Sequence, residues 1–298
     1  MMEEHIDRFL RYLAVERGLS ENYQLSVRRS LEHFAGWLDA SHSMSDPAAV
    51  TLDHFTEYLG HRRLDDQLAA SSLRVNLIAL KIFFRHLASR GVIPSDLAEQ
   101  IDSPKLEKYL PDTLNEEAVR KLLESIDTAK PLGKRDHAML ELLYASGLRV
   151  SELTGARLEN FFPEEGVIRV TGKGKKTRMV PVGSSAREAL SAYLEIERPA
   201  LVRSKTGSEI FLSKWGKSLT TTRIWQIVKE RARIAGIEAN VYPHLLRHSF
   251  ATHLLGNGAD LRVIQELLGH ADIATTQIYT HVDQKHLRNV HRKFHPRG

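Results

Sequence analysis

Four amphipathic segments fill the first hundred residues, and their spacing restricts this part of the chain to a helical bundle. Apolar residues recur at intervals of three and four, which is the period of one helix face. The four faces are Ile6, Phe9, Leu10 and Leu13; Val27, Leu31, Phe34 and Leu38; Leu52, Phe55 and Leu59; and Leu73, Leu77, Leu80, Phe84 and Leu87. Gly91 and Pro94 then end the fourth segment. We predict a four-helix domain over residues 1–102.

Basic residues lie beside the apolar faces of these segments. Arg74, Lys81 and Arg85 form a stripe on the fourth segment, about 100° from its apolar face. Arg28, Arg29, Arg62 and Arg63 add positive charge on earlier segments. A solvated helix face explains such stripes as well as a nucleic-acid surface does. Helices of this kind are nevertheless suited to phosphate contacts and fit the width of a major groove.

A linker is predicted over residues 103–112, which contain two prolines, several charges and no sustained periodicity. The remaining residues, 113–298, form a second domain, and two domains joined in this way can close around a rod-shaped partner. Asn115 is predicted to cap a helix that runs through Ile126. Another helix is expected over residues 136–146, where Gly147 stops it.

The exception to this helical pattern is the stretch 166–183. Val167, Ile168 and Val170 precede a basic, glycine-rich turn, and Met179, Val180 and Val182 follow it. We predict a small β-hairpin whose turn carries Lys173. The fold class is therefore mainly α with a small antiparallel β-sheet.

Composition restricts the partner and the compartment. With 42% hydrophobic and 27% charged residues, the chain is typical of a globular protein, and no apolar run approaches the length of a membrane span. The first thirteen residues resemble an amphipathic helix more than a signal peptide. A net charge of +5 favours a polyanionic partner without proving one. Together with the absence of cysteine, these features predict a cytoplasmic protein.

Six residues of the second domain have the side-chain types that phosphate chemistry requires. They are Arg149, Lys173, His244, Arg247, His270 and Tyr279. Two guanidinium forks can bind phosphate oxygens, lysine and histidine can move protons, and a phenol can act as a nucleophile. No glycine-rich nucleotide loop, HExxH motif or EF-hand motif is present, so no cofactor and no metal are expected.

The local contexts of these residues are informative to different degrees. Arg149 follows a glycine helix stop, near backbone N–H groups that favour an anion. His244 and Arg247 are spaced i, i+3, so both side chains lie on one face of a helix that Pro243 starts. His270 follows a glycine C-cap, and Tyr279 follows nine residues later.

With these segments in order, the chain resembles the tyrosine recombinases of the phage-integrase superfamily, most closely the Xer type. Four boxes carry the resemblance: Gly-Leu-Arg-x-Ser-Glu-Leu around Arg149, His244-x-x-Arg247, Leu-Gly-His ending at His270, and Tyr279-Thr280-His281. The resemblance covers almost the whole chain, and the closing residues 295–297 are similar to those of one Xer subtype. It implies a SAM-like four-helix domain and an integrase-type catalytic domain that together form a clamp.

The resemblance also implies a role for each residue. Tyr279 attacks a DNA phosphodiester and forms a 3′-phosphotyrosyl bond, without ATP or metal. Arg149 and Arg247 stabilise the phosphorane oxygens, Lys173 protonates the leaving 5′-oxygen, His244 is the base and His270 is a hydrogen-bond donor. Glu152 is expected to orient the arginines.

Assembly is implied as well. The expected partners are double-stranded DNA with a dif-like recombination site, a related XerC-like recombinase in a heterotetramer, and, as a further candidate, the FtsK DNA translocase. The implied cellular role is the resolution of chromosome dimers at cell division. Residues 284–298, which include Leu287 and Val290, are a candidate helix for docking on a neighbouring subunit; a basic tail on DNA or a frayed end is the alternative.

Three other functions remain open from the residues alone. A type IB topoisomerase shares the phosphotyrosine chemistry, although the small first domain and short tail argue against it. A noncatalytic DNA-binding regulator is suggested by the helix, Gly-Asn-Gly, helix pattern over residues 249–265. A metal-binding protein is suggested by fifteen histidines, and in particular by the pairs His244/His248 and His291/His295.

Overall fold

The computed structural model describes residues 1–97, 113–172, 177–269 and 286–298 in full, together with the helical backbone of 281–285. The chain divides into two compact units, Met1–Leu110 and Pro111–Gly298, each with its own hydrophobic core. This division falls inside the predicted linker, whose residues 103–112 lie outside the described ranges. Within those ranges, no helix combines the length and the apolar character that crossing a membrane requires.

The N-terminal unit is the predicted four-helix bundle. Its helices are α1 (Met2–Val15), α2 (Glu21–His42), α3 (Leu52–Leu64) and α4 (Ala70–Ser89). Every residue of the first two predicted apolar faces is buried. The third face is shifted, because Phe55 and Tyr58 are fully buried while Leu52 and Leu59 are only partly covered. Tyr58 takes the inner position because its ring packs edge-on against Phe34, 5.0 Å away.

The basic residues of this unit differ in their availability. Arg28 bonds to Asp7 and Glu32, and Arg62 bonds to Asp66, so these charges are already partnered within the unit. Arg29, Arg63 and Arg74 have exposed side chains. Exposed cations contribute most readily to contacts with a polyanion.

The second unit is helical around a small sheet. Its elements are α5 (Glu116–Glu124), α6 (Gly133–Ser146), α7 (Val150–Thr154), β1 (Phe161–Phe162), β2 (Val167–Thr171), β3 (Thr177–Pro181), α8 (Ser184–Ala192), a π-helical turn (Tyr193–Glu197), α9 (Arg198–Leu201), α10 (Thr221–Ile234), α11 (Pro243–Gly256), α12 (Leu261–Leu268) and α13 (His281–Phe294). The predicted hairpin is confirmed as β2 and β3, which pair antiparallel from Val167↔Pro181 to Thr171↔Thr177. Strand β1, which the sequence analysis did not predict, pairs with β2.

Several helix ends follow the predicted chemistry. Asn115 caps α5, since its side chain accepts a hydrogen bond from the Ala118 amide at 2.8 Å. Helix α5 ends at Glu124, two residues before the predicted end. Gly147 ends α6 with a φ of 55°, a left-handed conformation in which glycine is favoured.

The start of α6 differs from the prediction by three residues. The helix begins at Gly133 and not at Asp136. The carboxylate of Glu197 accepts hydrogen bonds from the amides of Leu132 and Arg135 at 2.6 and 2.7 Å. A carboxylate more than sixty residues away in the sequence therefore caps the first turn of α6 by accepting hydrogen bonds from its amides.

The C-terminal segment packs on its own unit. Leu287 is buried, and the Nε2 atom of His291 lies 2.6 Å from the carbonyl oxygen of Ala145. Arg297 pairs with the buried carboxylate of Glu141. The described residues 286–298 are therefore neither frayed nor free of the domain in the single chain.

Candidate active site

Arg149 is placed by the turn between α6 and α7. Gly147 reverses the chain, and a side chain there would force a local shift because its Cβ would meet the Phe250 ring at 2.5 Å. Arg149 then stands at the N-cap of α7, with its side chain 37% exposed. Its backbone amide donates to Glu152 at 2.8 Å, and its Nη1 donates to the same carboxylate at 3.0 Å. The guanidinium is therefore held at one end and open to solvent at the other.

Glu152 is the buried centre of the site. Only 1% of its side chain is exposed, and both carboxylate oxygens are bonded in a fork to Arg178, at 2.6 and 3.0 Å. Burial alone would raise the pKa of Glu152, but the hydrogen bonds and charge of Arg178, together with Arg149, outweigh it and hold the pKa below its usual value. Glu152 is thus an anion that orients cations, as the sequence analysis expected.

Arg247 lies on α11 and is almost fully buried. Its Nη1 donates to the carbonyl of Gly147 at 2.5 Å and its Nη2 to that of Leu268 at 2.6 Å, while Glu152 lies 4.0 Å away. Burial and the charge of Arg149 lower the pKa of Arg247 to about 10, so it still carries its charge at neutral pH.

Three arginines meet at the C-terminal end of α12. The carbonyl of Leu267 accepts from Arg178 at 3.2 Å, that of Leu268 accepts from Arg247, and that of Gly269 accepts from Arg149 at 3.2 Å. The last carbonyls of a helix lack partners within the helix and carry its negative dipole end, which attracts cations. The end of α12 therefore gathers three guanidinium groups. In the sequence, His270 directly follows this helix end.

His244 stands in the first turn of α11, one turn before Arg247. Its side chain is exposed, and it lines an open groove between α11 and α12 together with Arg247 and His248. Partial burial and the charges of Arg247, His248 and Arg149 lower the pKa of His244. A neutral imidazole at pH 7 accepts a proton, which suits the role of a base.

The structure therefore brings together three of the six predicted site residues: Arg149, His244 and Arg247. Lys173, His270 and Tyr279 lie outside the described residues. Flanking residues of the first two are described, since the pair Thr171↔Thr177 bounds the segment that carries Lys173 and Gly269 precedes His270. Gly269 has a φ of 64° and ends α12, as predicted for a glycine C-cap.

One of the two histidine pairs considered for metal binding, His291/His295, has a structural role. His291 and His295 are buried and stacked, with ring centroids 4.8 Å apart. The Nε2 atom of His291 is already bonded to the Ala145 carbonyl, and burial lowers the pKa of His291 to about 4.

The predicted helix–turn–helix pattern is present as α11 and α12. In this structure the two helices position Arg247 and the backbone carbonyl of Leu268 that accepts its hydrogen bond.

Arg178 is a site residue that the sequence analysis missed. A signal for it was present, because in β3 this arginine shares its side of the strand with the buried Val180. An inward-facing arginine needs acceptors for its donors and is most stable beside an anion, since an unpaired buried charge is very costly. Glu152 is the anion beside Arg178, and the sequence already indicated that Glu152 orients the arginines of the site.

The arrangement can bind a compact anion. Arg149 and Arg247 present guanidinium groups fixed by carbonyls and by one carboxylate, and preorganised donors of this kind stabilise charge that develops on a phosphoryl group. Among the described residues around Glu152, three arginines and one carboxylate leave an excess of positive charge. A phosphate at the exposed side of Arg149 would meet this charge.

Comparisons with known proteins agree with this geometry. Residues 112–286 match the phage integrase family, and residues 6–91 match the phage integrase N-terminal SAM-like domain. The chain is 45% identical to the tyrosine recombinase XerD of Listeria innocua, with 100% of both chains covered. It is 44% identical to XerD of Pseudomonas putida, over 98% of this chain and 97% of that one.

A solved structure shows the same fold. The crystal structure of XerH site-specific recombinase bound to palindromic difH substrate matches with a TM-score of 0.70 at 24% identity, covering 96% of this chain and 93% of that one. The predicted fold class is confirmed. The chain belongs to the phage integrase family, as a site-specific tyrosine recombinase of the Xer type that cleaves and rejoins DNA.

Proposed function

We propose that this recombinase resolves chromosome dimers at cell division, in the cytoplasm, by acting on a dif-like site. The XerD relatives, aligned along the full chain, support this role, and the XerH complex with difH supports the type of DNA site. The proposed partners are a XerC-like recombinase, which would complete a heterotetramer on two DNA sites, and the FtsK translocase as an activator.

The proposed chemistry is a phosphoryl transfer to Tyr279. Its phenol oxygen attacks the scissile phosphorus, the bond from phosphorus to the 5′-oxygen breaks, and a 3′-phosphotyrosyl bond forms. His244 accepts the phenol proton, and Lys173 gives a proton to the leaving 5′-oxygen. The number of phosphoester bonds is unchanged, so the step needs no ATP and is reversed when a new 5′-hydroxyl attacks.

The arginines carry this proposal furthest. Arg149 and Arg247 are fixed around a buried carboxylate, and one of them is open to solvent, which is what a site for the extra charge of a phosphorane requires. His270 is proposed to donate a hydrogen bond to the same phosphate. We also propose that the two domains comprise residues 1–102 and 113–298 and that residues 103–112 link them.

A nicked substrate tests the proposed chemistry. DNA that carries a dif-like site with a nick near the scissile phosphate loses a short fragment after cleavage, so the covalent complex accumulates. We expect a denaturation-resistant adduct in the presence of a chelator, and none with Tyr279→Phe. An adduct that persists in Tyr279→Phe would assign the nucleophile to another residue. Addition of a XerC-like protein should increase the yield if the heterotetramer is the active form.

A further inference from the structure

We propose that Arg178 is a positioning residue for DNA cleavage, which acts through Glu152 on the two phosphate-binding arginines. This inference rests on the proposed function of Arg149 and Arg247. Arg178 itself is 8% exposed and is turned toward the carboxylate and the end of α12, so it does not need to touch DNA.

The first argument is the geometry of the fork. Arg178 donates to both oxygens of Glu152 through one planar guanidinium, and this fork restricts the rotation of the carboxylate. The same oxygens accept from the amide and the guanidinium of Arg149. The orientation of Arg149 toward a phosphate is therefore set by a carboxylate that Arg178 holds in place.

The second argument is the tie to α12. The Nε atom of Arg178 donates to Leu267, one residue before the carbonyl that fixes Arg247. Its guanidinium packs directly on Gly269, where a Cβ would come within 2.9 Å of Nε and 3.0 Å of Cζ. Arg178 thus fills the space under the last turn of α12, and Gly269 leaves that space open.

The third argument is charge. Among the described residues, the loss of Arg178 would leave Arg149 as the one close cation of the buried Glu152, and Arg247 stands 4.0 Å away. The less-neutralised charge of the carboxylate would then attract Arg247 and compete with the phosphate for it. Arg178 neutralises the carboxylate, so the other two guanidinium groups keep donors for DNA.

The test compares Arg178→Lys with the wild type on the nicked substrate. Lysine keeps the positive charge but not the planar fork, so it cannot hold both oxygens. We expect the cleavage rate constant at saturating protein to fall about 10²-fold, the loss typical of a misplaced catalytic group, while the Kd for DNA changes less than about threefold. Glu152→Asp, which shortens the carboxylate, should show the same pattern.

Arg198→Lys is the matched control. Arg198 is also buried and donates to the carbonyls of Gly207, Glu209 and Ile210. These contacts involve neither Glu152 nor the end of α12. The fold should lose stability in both variants, as thermal unfolding will show, and only Arg178→Lys should lose the cleavage rate at a temperature where both are folded.

A substrate with a methylphosphonate at the scissile position separates positioning from general damage. This substitution removes one charged oxygen and with it part of the need for well-placed arginines, so the loss caused by Arg178→Lys should shrink at least about tenfold. An equal loss on both substrates would overturn the proposal, and so would a wild-type rate for the variant. If the wild type itself forms no adduct, the proposed function fails first, which keeps the two failures distinguishable.

Discussion

Glu152 binds Arg149 at two points, through the backbone amide at 2.8 Å and through the guanidinium at 3.0 Å. The first contact caps helix α7, and the second orients the side chain that faces solvent. One carboxylate therefore joins the local fold to the site, and its loss should affect stability and cleavage together.

Glu152→Gln should lower the free energy of unfolding by about 3–5 kcal/mol at neutral pH, because it breaks a buried ion pair. The folded pKa of Glu152 lies below its ordinary 4.5, so its contribution is full above that pH and is lost as the pH falls through the folded pKa. The difference in stability between wild type and variant should therefore shrink below pH 4.5, as measured by urea unfolding. The exposed Glu124→Gln is the control and should stay near wild type. A difference that stays constant down to pH 3 would contradict the assignment.

The cleavage rate should fall on the acid side, with a midpoint below pH 6.5. Burial and neighbouring cations lower the pKa of His244, and a base must be unprotonated to accept the phenol proton. Single-turnover rates between pH 5 and 8 measure this limb. His244→Gln should remove it, whereas His248→Gln should keep it with a slightly higher midpoint, because one positive neighbour of His244 is lost. An unchanged limb in His244→Gln would assign the base elsewhere.

Gly147→Ala should destabilise the catalytic unit by about 1–3 kcal/mol and also slow cleavage. Its φ of 55° disfavours a side chain, the new Cβ would overlap Phe250, and the Gly147 carbonyl holds Arg247. Thermal unfolding and the nicked-substrate assay report the two effects. Gly155→Ala is the control, since Gly155 has a negative φ and its nearest contact would be an ordinary 3.4 Å. If both variants behave alike, the turn does not constrain Arg247.

Leu287→Ala should cost about 2–5 kcal/mol, because Leu287 is buried where α13 packs on the second unit. Leu261, on α12, is 55% exposed, and Leu261→Ala should change the free energy of unfolding by less than about 0.5 kcal/mol. Chemical denaturation compares the two. A small effect of Leu287→Ala would mean that the C-terminal helix leaves its own chain in solution, as docking on a neighbouring subunit requires.

Periodicity and capping were enough to predict much of this fold. The faces of α1 and α2, the cap at Asn115 and the stop at Gly147 all depend on residues close together in the chain. The start of α6 could not be predicted in this way, because Glu197 serves its first turn from a distant segment. Strand β1 could not be predicted either, because a strand of two residues is too short to show an alternating pattern. Its pairing with β2 stabilises it.

The site was predicted through its residue types and not through its contacts. Arg149, Arg247 and Glu152 stand where the sequence pattern suggested. Their fixation by three successive carbonyls at the end of α12 was not readable, because backbone acceptors leave no mark on the sequence. Arg178 was missed because it lies among the apolar residues of β3, although its inward position indicated a need for an anion.

The identity of the DNA-linked residue tests the central claim most directly. After cleavage of the nicked substrate, nuclease and trypsin treatment should leave a nucleotide on the peptide of residues 263–285, in which Tyr279 is the only tyrosine. Tandem mass spectrometry should place the added mass on Tyr279. A nucleotide on any other residue, or no adduct from wild-type protein bound to its DNA site together with its XerC-like partner, would contradict the account.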